Sequence, residues 1–128
     1  MTQTYDELGT AAGRAQQIWL ILLAFAMCEQ TVTYENLAER MGLSKHAARF
    51  LSQFLGPVYY YCDEHKLPPL TSIVVGVHTG VPGWDGGFDI SKVPALQRKV
   101  YDFDWYSICP PSRRELELFR IKWHAGSA

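Results

Sequence analysis

Apolar residues recur at helical spacing from the start of the chain. Leu8, Ala12, Ala15, Ile18/Trp19, Leu22 and Phe25/Ala26 predict one long helix over residues 5–29. Thr4 suits its N-cap, and Asp6 and Glu7 suit the positive helix end. The second half of this helix is apolar nearly all round, so other elements must cover it on several sides. After a turn at 30–32, Thr33 can cap a short helix over 34–41, which Gly42 ends in a left-handed conformation. Ser44 then caps a third helix over 45–55. Two short helices joined by a glycine-containing turn form a helix-turn-helix pattern. In the third helix Ala47, Phe50, Leu51 and Phe54 share one face, while Lys45, His46, Arg49, Ser52 and Gln53 share the other.

Gly56-Pro57 predicts a break, with a fourth helix over 58–65 that Leu67-Pro68-Pro69 stops. The β-branched run 71–77 predicts a strand. His78-Thr79-Gly80 turns it, and Val81 starts a return limb interrupted by Pro82 and Gly83, which together would make a hairpin wing. Residues 84–87 read as a glycine-rich loop. Pro94 opens a fifth helix to about 103, Pro110-Pro111 stops the chain again, and Ser112 caps a last helix over 113–123, with the final four residues frayed. The pattern gives an α+β, mostly helical fold: a winged helix-turn-helix with a small β-hairpin and extra N- and C-terminal helices. It reads as a single domain over 1–128, with residues 31–90 as the helix-turn-helix plus wing and 91–128 as a C-terminal extension. There is no internal repeat.

Composition narrows the function. The 128 residues are 48% hydrophobic and 13% aromatic, enough for a substantial core. Net charge is −1, so a nucleic-acid face has to come from local charge segregation. Such segregation exists: no acidic residue falls between Glu39 and Asp63, a stretch that holds Arg40, Lys45, His46 and Arg49. A recognition element needs this arrangement, with cations for phosphates and amide or guanidinium groups for base edges. Cysteines 28, 62 and 109 are odd in number and fit no metal spacing, which predicts free thiols in the cytoplasm. The apolar run 18–28 is too short to span a bilayer, so no membrane partner is expected. No cofactor motif is present.

Four segments carry a resemblance: Val32-Thr33-Tyr34-Glu35-Asn36-Leu37-Ala38, Lys45-His46-Ala47-Ala48-Arg49, Pro69-Leu70-Thr71-Ser72-Ile73-Val74 and Gly80-Val81-Pro82-Gly83. In order and spacing they are similar to the DNA-binding domain of methylated-DNA–cysteine methyltransferases and alkyltransferase-like proteins, over about residues 31–88. The resemblance implies that Arg49 is an arginine finger that enters the duplex and fills the space of an extruded base. It implies that Tyr34 pushes on the phosphate beside that base, in line with the cost of unstacking. The departures are equally specific. The family's reactive Pro-Cys-His-Arg is Pro69-Leu70-Thr71-Ser72 here, so Leu70 stands where the acceptor cysteine would be and alkyl transfer is not expected. Phe50 and Leu51 replace small residues after the arginine. Residues 95–123 have no counterpart.

Other chemistry is weaker. Cys62 follows Tyr59-Tyr60-Tyr61 and precedes Asp63 and Glu64, which raise a thiol pKa; Cys62 and His65 would share a helical face. Asp102 and Asp104, with Asp85 and Asp89, could hold Mg²⁺, although a solvated edge with Tyr101, Phe103 and Trp105 turned inward is the favoured reading. Trp84, beside Asp85-Gly86-Gly87, is the candidate for an exposed ring that stacks on a base or lies against a partner subunit. The leading expectation is a non-enzymatic DNA-binding module that uses Tyr34, Lys45, His46, Arg49, Ser52 and Gln53. The alternative is a protein-interaction or homodimerisation domain that has lost DNA binding.

Overall fold

The computed structural model describes residues 2–83 and 88–127. It is mostly helical, with one two-stranded parallel sheet. The elements are α1 (Tyr5–Leu8), α2 (Ala11–Met27), β1 (Val32–Thr33), α3 (Tyr34–Arg40), a 3₁₀ turn (Lys45–Phe50), α4 (Ser52–Glu64), a second 3₁₀ turn (Leu70–Ile73), β2 (Val74–Val75), α5 (Val93–Asp102) and α6 (Arg113–Ser127). Short 3₁₀ turns, Ile90–Lys92 and Trp105–Ser107, flank α5.

The helix expected over 5–29 is two helices. Thr4 and Glu7 form a capping box at its start. Gly9 then adopts φ 64°, and Thr10 caps α2 afresh by accepting the Gly13 N–H at 3.0 Å. A left-handed glycine followed by a new cap satisfies both helix ends, which a periodicity count does not register. α2 is the centre of the fold. Its Trp19 is buried and meets Tyr61 of α4 and Trp105 edge-on, each at 5.6 Å between ring centroids. Trp105 in turn donates its indole N–H to the Val100 carbonyl at 2.8 Å. Val100, Trp105 and Leu116 join the same core as α2, α3 and α4.

α3 follows the sequence closely. Thr33 accepts the Asn36 N–H at 3.1 Å, and Gly42 takes φ 81°. The N–H groups of Gly42 and Leu43 return to the carbonyls of Glu39 and Ala38, closing a Schellman motif. Arg14 completes this helix end from α2. Its guanidinium donates to the Met41 carbonyl at 2.9 Å, placing positive charge at the negative helix terminus.

The third predicted helix is corrected. Residues 45–50 wind as a 3₁₀ turn, and the α-helix begins only at Ser52. Ser44 caps the turn by accepting the His46 N–H two residues on, and Ala47 donates to the Ser44 carbonyl, so the chain starts with tight i,i+3 geometry. α4 then runs through Gly56-Pro57 to Glu64, where a break was expected. Leu51, Leu55, Val58, Tyr61 and Cys62 are all buried and keep one apolar phase across Pro57. Burial of that continuous stripe outweighs the hydrogen bond the proline removes.

The expected strand 71–77 and its hairpin also differ. Leu70, Thr71, Ser72 and Ile73 are all buried, which an alternating strand with one solvated face cannot provide. They form a 3₁₀ turn instead, and only Val74–Val75 are extended. These pair parallel with Val32–Thr33, across the chain from α3, rather than with a return limb. Residues 76–83 fold as a tight turn in which Gly76 donates to the Val81 carbonyl and Gly80 to the Gly76 carbonyl. Among the described residues there is no antiparallel pair. The last two helices stand close to expectation. Ser112 and Glu115 make a second capping box, but α6 continues to Ser127, so the frayed end expected there is helical. No described helix is long and apolar enough to cross a membrane.

Candidate nucleic-acid interface

The residues read as DNA-contacting fall on three successive elements, α3, the Lys45–Phe50 turn and α4. Tyr34 is the first residue of α3, its ring packed against the core. Its hydroxyl accepts the Gly83 N–H at 3.1 Å, which anchors the 76–83 turn over the start of α3. Lys45, His46 and Arg49 lie exposed on the 3₁₀ turn that packs against α3. Gln53 is exposed and Ser52 half-buried in the first turn of α4. Trp84 and Asp85 lie outside the described residues.

Arg14, Arg98, Arg120 and Lys122 are each matched with a carboxylate. Among the described residues no ion pair involves Arg40, Lys45 or Arg49. Arg40 instead donates to the Asn36 side chain and covers the Phe25 ring. Arg49 lies over the ring of Phe50, with 4.8 Å between the guanidinium carbon and the ring centroid. Phe50 itself is 53% exposed, where its spacing placed it on the core face. A 3₁₀ turn has three residues per turn rather than 3.6, so the face assigned from α-helical spacing is rotated. No sequence signal reveals this, because it depends on the turn type.

Several groups of the alternative chemistries serve structural roles. Burial, then the nearby Asp63 charge, pushes the Cys62 thiol up to about 12, despite an opposing hydrogen bond to the backbone of Leu70. Cys62 is therefore a protonated core residue, and His65 packs its ring on Tyr61 at 4.3 Å. Cys28 and Cys109 are exposed and unpaired. Asp102 pairs with Arg98 at 2.9 Å, Asp104 caps the turn at Trp105 and Asp89 caps the turn at Ile90. Among the described residues no three metal-ligating side chains converge. Leu70 is fully buried. The hydroxyls of Thr71 and Ser72 beside it are buried without a partner.

A cleft of about 350 Å³ opens beside the second half of α4, lined among others by Tyr59, Asp63, Pro69, Phe88, Asp89 and Lys92. Tyr59 meets Phe88 edge-on at 5.6 Å, and its phenol pKa is raised first by burial and then by Asp63. The three-tyrosine run 59–61 was the one hint of it in the sequence. Comparison with protein-family models, with characterised proteins and with solved structures finds no match for this chain.

Proposed function

We propose that this protein is a non-enzymatic DNA-binding module. In this reading α3 and the residues after Ser44 act as a helix-turn-helix. Lys45, His46 and Arg49 contact phosphates, while Ser52 and Gln53 approach the groove. The turn at 76–83, tethered to Tyr34, takes the place of a wing. The observation that carries the reading is the exposed set Lys45, His46 and Arg49, uncompensated by carboxylates among the described residues in a chain of net charge −1. The similarity of residues 31–88 to the DNA-binding domain of alkyltransferase-like proteins supports the same surface. The odd cysteine count supports a reducing, cytoplasmic setting.

A second reading, a homodimerisation domain that has lost DNA binding, is favoured by Leu118 and Ile121, which are exposed one turn apart on α6. Hydrogen exchange with and without a short DNA duplex separates the two. The DNA-binding reading expects protection to rise over residues 34–53 when duplex is added. No change there, together with concentration-dependent protection of α6, would establish the second reading.

A further inference from the structure

We propose that the cleft beside the second half of α4 binds a small protonated amine with an aromatic body. Its volume of about 350 Å³ lies in the range of small-molecule sites. Its walls come from three separate stretches of chain: α4, the connection at 67–69 that follows it, and residues 88–96. Tyr59 and Phe88 are half-buried, and their rings stand at 85° to each other. The two rings therefore form a corner instead of a closed stack. Leu67, Pro69 and Leu96 extend the apolar surface on which the body of a ligand can be buried. None of the described residues lining the cleft is one assigned to DNA, so the proposal stands independently of the DNA-binding reading.

Charge selects the polar end of the ligand. Among the described residues lining the cleft, Asp63 and Asp89 outnumber the one cation, Lys92. Neither carboxylate enters an ion pair among the described residues. Asp89 is held in place through Oδ1, which accepts the Ser91 N–H at 3.0 Å and the Ser91 hydroxyl at 2.7 Å. The Tyr59 phenol pKa is raised by burial and then by the Asp63 charge, so the negative potential reaches the aromatic wall. A carboxylate only accepts hydrogen bonds, and the face of an aromatic ring is negative. Both favour a cation that carries N–H donors. An anion of the same shape meets two carboxylates.

The test titrates the full chain with phenethylamine, neutral phenylethanol and anionic phenylpropionate, followed by amide chemical shifts in NMR spectra. At about pH 7 the amine is protonated. It shifts the resonances of residues lining the cleft and binds about tenfold more tightly than phenylethanol, with phenylpropionate weaker still. Asp63→Asn weakens amine binding about tenfold and leaves phenylethanol binding within about twofold. Phe88→Leu keeps an apolar side chain but removes the π face, and it weakens amine binding about threefold. Melting curves check that the variants fold, and the comparison of probes in the wild-type protein stands whether or not they do. Equal affinity for amine and alcohol, no shifts at the cleft, or a folded Asp63→Asn variant that binds the amine as tightly as wild type overturns the proposal.

Discussion

The Tyr34 hydroxyl accepts a hydrogen bond from the backbone N–H of Gly83, 49 residues further along the chain. One contact thereby joins the first residue of α3 to the turn that follows β2. The Lys45–Phe50 turn packs on the same helix.

Removing that hydroxyl has a local effect. Tyr34→Phe keeps the ring in the core and deletes the hydroxyl that accepts the Gly83 N–H, so stability falls by about 0.5–1 kcal/mol. The Gly83 amide exchanges faster with solvent, read by hydrogen–deuterium exchange. Unchanged Gly83 exchange would show that the turn is held by other contacts.

Arg14 has a larger role. Its side chain is 10% exposed, whereas its partner Asp6 is 87% exposed, so the bond to the Met41 carbonyl matters more than the ion pair. Arg14→Met keeps the apolar stem but removes the charged donor and leaves that carbonyl only the longer bond from the Gln17 amide at 3.3 Å, lowering stability by about 2 kcal/mol, or roughly 5–10 °C in melting temperature. Asp6→Asn costs under about 1 kcal/mol. Equal losses in the two variants would assign the stability to the ion pair instead.

Cys62 supplies a pH-dependent signature. Its thiol pKa rises from an ordinary value of 9.0 to about 12 on folding, so the folded state favours the protonated form. The corresponding stability is fully present below pH 9 and is lost as pH rises toward 12. Tyrosines titrate in the same range, so the comparison is with Cys62→Val, whose stability declines less steeply there. In the native protein at pH 8 a thiol reagent modifies Cys28 and Cys109 but not Cys62. Rapid modification of all three would contradict the buried placement.

Local chemistry was legible in the sequence where it acts over a few residues. The caps at Thr4, Thr33, Ser44 and Ser112 and the left-handed Gly42 all stand as read. Burial was the part that could not be read locally. Gly56-Pro57 looked like a break because the continuous stripe from Leu51 to Cys62 becomes decisive only once α2 and α6 cover it. The β-branched run 71–77 looked like a strand because nothing local shows that four successive residues must all be buried. The charges of the candidate surface were visible as an acid-free stretch. The exposure of Phe50 and the Tyr34–Gly83 contact were not, since one depends on turn type and the other on distant pairing.

The most direct measurement is the salt dependence of binding to a short paired duplex. If Lys45 and Arg49 each neutralise a phosphate, log affinity falls linearly with log salt concentration, and each of Lys45→Ala and Arg49→Ala makes that slope shallower by about one. A slope near zero, or one that neither substitution alters, would contradict the assignment of this surface to DNA.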